Sequence, residues 1–124
     1  MTTRTEEFAP YIAGLVARER ARRRRMRQRA AQAVKAARVA ARLLRRRFGA
    51  TRVRLFGSAL YPERFYEHSD VDLAVEGLDP KDYLRAWVAI NEPDICGDFE
   101  FDLVTPDLCR PAIWESVEQE GVDL

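Results

Sequence analysis

The sequence is poor in cysteine and histidine, and nearly all its positive charge is arginine. Its only cysteines are Cys96 and Cys109, with 12 residues between them, and its only histidine is His68. No Cys-x-x-Cys pair exists, and one histidine cannot complete a four-ligand zinc site from these parts. The expected state is two reduced thiols in a cytoplasmic protein. No apolar run approaches the roughly 18 residues of a transmembrane helix. The first residues lack the apolar region of a signal peptide, so no membrane role is expected. Lysine is nearly absent, with 19 Arg against 2 Lys, a bias that genome composition and heat adaptation would both produce.

What is present is enough for one domain. The 124 residues are 47% hydrophobic, sufficient for one core and not for a second independent one. The net charge of +1 conceals a division. Residues 1–62 hold 17 Lys+Arg and 3 Asp+Glu, a balance of +14; residues 63–124 hold 4 and 17, a balance of −13. Acidic clusters recruit metal ions and basic ones recruit phosphates or acidic proteins, so two surfaces with different partners are expected.

Residues 1–9 read as a loose terminus. A long helix is predicted from Pro10 to about Arg47: Pro10 suits the first turn, apolar residues recur at helical spacing, and Gly49 is a stop signal. Within it, residues 18–29 hold eight arginines and one glutamate. One carboxylate cannot neutralise them, and like charges at i,i+4 repel. A surface for an anionic partner is the favoured reading, against a merely solvated helix. The rest alternates strand and helix. Residues 51–56 read as a strand, with Val53 and Leu55 on one face and Arg52 and Arg54 on the other, and residues 58–66 as a short helix or loop. Residues 70–75 alternate Asp70, Asp72 and Ala74 with Val71, Leu73 and Val75, a second strand. Asp79 caps a helix running from Pro80 to about Ile90, residues 91–98 form a loop, and residues 99–104 a third strand. A last helix spans residues 111–120, with Ile113, Trp114 and Val117 facing inward and Gly121 ending it. Trp87 and Trp114, both at helical spacing with other apolar residues, are assigned to the core. His68 is read as a solvated loop residue.

The chemistry concentrates in Phe56-Gly57-Ser58 and Asp70-Val71-Asp72, 11 residues further on. Alternate strand residues share a face, so Asp70 and Asp72 present two carboxylates together. Such a pair repels itself and is costly to bury, a cost that a divalent cation resolves. In the third strand Glu100 and Asp102 share one face and Phe99, Phe101 and Leu103 the other. If that strand neighbours the second, Asp102 completes a three-carboxylate cluster of the kind that holds two metals for nucleotidyl transfer. Gly57 permits close approach of backbone to a phosphate, and a following helix with the Ser58 hydroxyl would add donors.

Leu55-Phe56-Gly57-Ser58 followed by Ser69-Asp70-Val71-Asp72-Leu73 resembles the signature of the polymerase-beta-like nucleotidyltransferases, and most of all the minimal nucleotidyltransferase (MNT) proteins. Phe101-Asp102-Leu103-Val104 is similar to their third acidic strand, and residues 113–124 to their last helix and Glu-Gly turn. The likeness covers residues 34–124 and leaves residues 1–33 as an arginine-rich helical extension. It implies an α/β fold of the polymerase-beta-like type, a small mixed sheet flanked by helices. It implies that Gly57 and Ser58 hold the nucleotide triphosphate, that Asp70 and Asp72 bind two Mg2+ or Mn2+, and that Asp102 binds the metal serving the acceptor. The family has ten residues where this chain has 11 between Gly-Ser and the first aspartate. The extra residue is placed in the turn at 61–68, which leaves Asp70 and Asp72 in register and bears on how Ser58 faces the metals.

Small MNT proteins are often paired with HEPN RNases, and in the best-known pairing the MNT antitoxin transfers AMP from ATP to a tyrosine of the HEPN toxin. The resemblance therefore implies an adenylyltransferase antitoxin in a hetero-oligomer with a HEPN partner. Two alternatives stand beside it: transfer to RNA, which the arginine run favours, or to a small molecule such as an aminoglycoside; and a catalytically silent module that neutralises a partner by contact. Intact Asp70, Asp72 and Asp102 argue against the last.

Overall fold

The computed structural model describes residues 4–124. The chain is a mixed α/β protein in which helices flank a four-stranded sheet and a long helix comes first. Helix α1 (Arg4–Phe48) runs for 45 residues, about 67 Å at 1.5 Å per residue. Glu6 and Glu7 stand in its first turn and Arg45, Arg46 and Arg47 in its last, the polarity the helix dipole favours. The helix thus begins before Pro10, and residues 4–9 are not a loose terminus; residues 1–3 lie outside the described residues. Pro10 removes one N–H from the ladder near its start. Helix growth is cooperative, and the alanine- and arginine-rich segment that follows carries the turn back past it.

Burial divides α1. Ala30, Ala33, Ala37, Ala40, Ala41 and Leu44 are buried at helical spacing, and this small-residue stripe lets α1 lie close against the sheet. Toward the N-terminus, Phe8, Tyr11, Ile12, Leu15 and Val16 are exposed. The same helix therefore docks with its C-terminal half, borders the 62–65 turn with Glu19, Arg22, Arg23 and Met26, and exposes the apolar residues that precede them. In the arginine run Glu19 bonds both Arg22 at 2.9 Å and Arg23 at 3.2 Å, and these partners hold its carboxyl below the usual range.

Strands β1 (Arg52–Phe56), β2 (Val71–Glu76), β3 (Phe101–Val104) and β4 (Val122–Asp123) form one sheet in the order β3-β2-β1-β4. β1 is antiparallel to β2 and β4, and β2 is parallel to β3. Val53 and Leu55 of β1, Val71, Leu73 and Val75 of β2, and Phe101 and Leu103 of β3 share the buried face toward α1. The opposite face is covered at the β1 end by α4 (Pro111–Glu120), which buries Val117 and sets the half-buried Trp114 ring 5.4 Å from the Arg54 guanidinium. Arg54 is itself buried and paired with Glu76 at 2.9 Å.

Several boundaries depart from the sequence reading. Residues 57–64 contain two 3-10 turns, Gly57–Leu60 and Pro62–Arg64. Asp79 caps as expected, accepting from the Lys81 N–H at 3.0 Å, but a 3-10 turn (Pro80–Asp82) precedes α2 (Tyr83–Ile90). The expected loop at 91–98 holds the short helix α3 (Pro93–Cys96). β3 omits Phe99 and Glu100, and β4 was not foreseen. Ile113 is exposed, because α4 packs on β1 alone and only the side bearing Val117 meets it.

The outer edge of β3 is closed by side chains. Asn91 Oδ1 accepts from the Phe101 N–H at 2.8 Å and Asn91 Nδ2 donates to the Phe101 carbonyl at 3.1 Å. The Tyr83 hydroxyl donates to the Leu103 carbonyl at 2.6 Å. These contacts satisfy polar groups that would otherwise template strand addition, and they fix α2 along that edge.

The tight seat of α1 predicts opposite outcomes at neighbouring alanines. Ala37→Leu should destabilise by about 1–3 kcal/mol through overpacking, whereas Ala31→Leu on the exposed side should change stability by less than about 0.5 kcal/mol. Urea denaturation of the two variants checks this; equal effects would contradict the packing described.

Candidate active site

A turn delivers the first aspartate. The Tyr66 N–H donates to Ser69 Oγ at 2.8 Å and the Ser69 N–H to the Tyr66 carbonyl at 3.1 Å, closing residues 66–69 immediately before Asp70. β2 then begins at Val71, whose N–H donates to the Glu100 carbonyl at 2.9 Å. That bond starts the parallel ladder in which Asp72 is the register partner of Asp102 and Leu73 of Leu103. Register partners on adjacent strands lie about 4.8 Å apart and point to the same face. Asp72 and Asp102 therefore stand side by side on the face opposite α1.

The electrostatics follow from that placement. Asp72 is half-buried, Asp70 and Asp102 exposed. The Asp72 carboxyl is pushed up to about 6 from an ordinary 3.8, chiefly by burial, then by the negative charges of Asp102 and Asp70. All three aspartates named from the sequence thus act on one position.

Gly57 completes the corner. Phe56 is the partner of Asp72 across the antiparallel pair, and Gly57 follows it with φ 80°, in the left-handed region. A Cβ at position 57 would overlap Asp72 Oδ2. Both the backbone angle and the approach of the carboxylate therefore require glycine. Ser58 is half-buried in the 3-10 turn that follows. That single turn is too short to develop a helix dipole, so what this corner offers an anion is close backbone approach.

Among the described residues no group of three or more His, Cys, Asp or Glu side chains is gathered closely enough to hold a metal ion by itself. Magnesium asks for less: one or two carboxylates, the rest of its shell coming from water and substrate phosphates. The Asp72–Asp102 pair with Asp70 beside it, all hard oxygen donors carrying mutual repulsion, fits such an ion. A zinc-type nitrogen and sulfur site does not form here. His68 is exposed in the turn, Cys96 is buried with its thiol pushed up by that burial, and both cysteines are free.

One neighbour escaped the sequence reading. Trp87, assigned there to the core, is 43% exposed. It borders a cavity of about 540 Å³ shared with Asp70, Asn91, Glu100, Phe101 and Asp102. α2 is apolar nearly all round, so spacing alone could not choose its buried side. The small residues Ala86 and Ala89, with Ile90, face the protein, while Leu84, Trp87 and Val88 face out. The i, i+4, i+8 recurrence of Tyr83, Trp87 and Asn91 was the available signal. No family model matches the chain, and no curated protein matches it.

The Asp72 environment predicts a pH dependence. A carboxyl whose folded pKa is raised contributes stability that is complete below its unfolded value, near pH 4, and lost as pH rises through about 6. Asp72→Asn should therefore stabilise the protein at pH 8, on the order of 1 kcal/mol, with the gain fading to nothing below pH 4. Thermal melts of both proteins across that range check the sign. A stability loss at pH 8 would contradict the crowding of these carboxylates.

Proposed function

We propose that the protein is a metal-dependent nucleotidyltransferase of the polymerase-beta-like fold that transfers AMP from ATP to a tyrosine of a HEPN-type RNase toxin, acting as its antitoxin. The observation that carries the reading is the corner where Asp72 meets Asp102 in register and Gly57 yields its Cβ space to the Asp72 carboxylate. The mixed sheet, the Gly57-Ser58 turn after β1 and the aspartates on β2 and β3 support this reading.

In this reading Gly57 and Ser58 receive the triphosphate, the glycine by close backbone approach and the serine through its hydroxyl. Asp70, Asp72 and Asp102 would hold two Mg2+ or Mn2+, which would supply charge neutralisation at the transferring phosphoryl group. The acceptor hydroxyl oxygen forms a bond to the α-phosphorus of ATP, the bond from that phosphorus to the bridging oxygen breaks, and pyrophosphate leaves. Asp102, exposed beside the reacting face, takes the hydroxyl proton and passes it to water. Half-burial of Asp72 lowers the local dielectric and strengthens these interactions.

Transfer to RNA is the second reading, favoured by one observation. The arginines of the α1 run are exposed from Arg18 to Arg27, with Glu19 shared between two of their guanidinium groups. In the antitoxin reading the same surface docks an acidic partner protein, and the hetero-oligomer forms through the N-terminal half of α1.

Labelled ATP with magnesium, the protein and the neighbouring gene's product should put label on protein; label on RNA would favour the second reading, and no label anywhere would favour a silent binding module. Asp70→Asn, Asp72→Asn and Asp102→Asn should each lower transfer by at least about a hundredfold, several kcal/mol of transition-state stabilisation, while circular dichroism stays native. Ser58→Ala should be milder, because backbone N–H groups remain. Transfer at the wild-type rate in any aspartate variant would sink the mechanism.

A separate outcome concerns α1. Replacing Arg22, Arg23, Arg24 and Arg25 by glutamine should weaken partner binding and flatten its salt dependence. Transfer to a small surrogate acceptor should barely change. Equal affinities for wild type and variant at both low and high salt would leave the docking role without support.

A further inference from the structure

The cavity past Asp102 has a floor and a sign of charge, and both bear on what the acceptor is. Trp87 lies on α2 between two residues tied to the edge of β3: Tyr83, four residues before, through the Leu103 carbonyl, and Asn91, four residues after, through the Phe101 N–H and carbonyl. The Asn91 amide also donates to the Trp87 carbonyl at 3.0 Å, so the backbone beneath the indole is held from both ends. An aromatic side chain that is 43% exposed on so fixed a stretch, bordering the same 540 Å³ cavity as Asp102, is placed to receive a ligand. Trp114 contrasts with it, its ring half-buried against Arg54.

The charge around this cavity is one-sided. Asp70, Glu100 and Asp102 border it, and among the described residues no lysine or arginine does. Along the chain that forms its wall, residues 91–102 carry five acids and no base. Arg29 of α1 packs 4.6 Å from the Phe99 ring centroid and borders an adjoining pocket of about 200 Å³ that shares Asp70 and Glu100 with this cavity. Two metal ions would offset Asp70 and Asp102 and leave Glu100 as the remaining carboxylate on the cavity wall. A polyanion entering here would meet like charge, whereas a cation meets both carboxylates and the face of an indole, the best aromatic partner for a positive group.

We infer that this cavity is the acceptor subsite, with Trp87 as its stacking platform, and that the hydroxyl it presents to Asp102 is carried on a basic polypeptide segment and not on a nucleic acid. The inference rests on the nucleotidyltransferase reading for what happens to the hydroxyl, but recognition of the acceptor is a property of α2 and residues 91–102 alone. It separates the roles of the two charged surfaces: the arginines of α1 handle an anionic region of a partner, and the acidic cavity handles the basic segment bearing the acceptor. Trp87 is a specificity-determining residue in this scheme, without a part in metal chemistry.

The full-length protein is tested with magnesium, ATP and three acceptors: a tyrosine peptide flanked by lysines, the same peptide flanked by glutamates, and a single-stranded RNA oligonucleotide. The lysine peptide should be the best acceptor. Trp87→Ala should raise its KM about threefold to tenfold, the worth of one aromatic contact, with kcat and the KM for ATP little changed, and Trp87→Phe should restore most of the loss. Glu100→Gln should narrow the preference for lysine over glutamate flanks. Binding is read independently in a Trp114→Phe background, where Trp87 is the sole tryptophan. The lysine peptide should quench its fluorescence without ATP, and the glutamate peptide and RNA should not. Quenching without transfer to any acceptor would sustain the subsite and defeat the nucleotidyltransferase reading. Transfer with KM unchanged in Trp87→Ala, equal use of the glutamate peptide or RNA, or no quenching by the lysine peptide would overturn the inference.

Discussion

The parallel pairing of β2 with β3 is the constraint from which the site descends. The bond from the Val71 N–H to the Glu100 carbonyl sets the ladder, and once it is set Asp72 has no choice of neighbour. Sliding β3 by one residue would bring Phe101 or Leu103 onto the solvent face and Asp102 into the core, so the hydrophobic pattern locks the register that forces two carboxylates together. The penalty appears in the Asp72 carboxyl, pushed up to about 6 by burial and by Asp102 and Asp70. Such an arrangement subtracts from stability at neutral pH, and groups perturbed by both burial and specific charges gather where chemistry is done.

The remaining elements are arranged around that pair. Antiparallel β1 brings Phe56 against Asp72 and so delivers Gly57 to the carboxylate. α2, latched through Tyr83 and Asn91, shields the β3 edge and holds Trp87 beside Asp102. α1 covers the far face with alanines, which leaves the carboxylate face open except where α4 sits over β1. An open sheet face with a helix-covered back leaves the carboxylates accessible from one side only.

How much of this was legible depended on whether local pattern or tertiary packing decided the outcome. The alternation at residues 70–75 and 99–104 was readable because each strand has one buried and one exposed face, so Asp72 and Asp102 stood out against Val71, Leu73 and Phe101. α4 was readable from Pro111 at its start and Gly121 after its end. β4 was not, since two residues carry no period and Val122 and Asp123 become a strand only because β1 offers an edge. The start of α1 was misplaced because Pro10 mimics a first-turn proline, and cooperative extension from the residues after it outweighs one missing N–H. Trp87 was misassigned for another reason: a helix reading Tyr-Leu-Arg-Ala-Trp-Val-Ala-Ile has apolar residues on every side. Which stripe is buried was decided by how closely α2 must approach its neighbours, and alanine won over tryptophan. What no residue could reveal was the pairing of β2 with β3, on which the meeting of Asp72 with Asp102 depends.

The division of charge along the chain becomes a division in space. Residues 57–102 contain every group of the candidate site, and the arginine run lies on the half of α1 that precedes the first buried alanine. The N-terminal half of α1 carries two kinds of surface in succession, the apolar Phe8, Tyr11, Ile12, Leu15 and Val16 and then the arginines. Charge alone would serve loose, salt-sensitive attraction. An apolar stripe adjoining it supplies area that holds when salt screens the arginines, so the two in series suit a partner that is first drawn in and then seated. The arginine run is not remote from the site: Arg22, Arg23 and Met26 border a pocket with Pro62, Glu63 and Phe65, and Arg29 borders one with Ser69 and Asp70, so changes at Arg29 should couple to the turn that delivers Asp70. Substitutions at the end of the run reach that turn directly through Arg29, whereas those at the apolar stripe would have to act through the docked half of α1 and the core beneath it, where Ala33, Ala37 and Ala40 leave no slack.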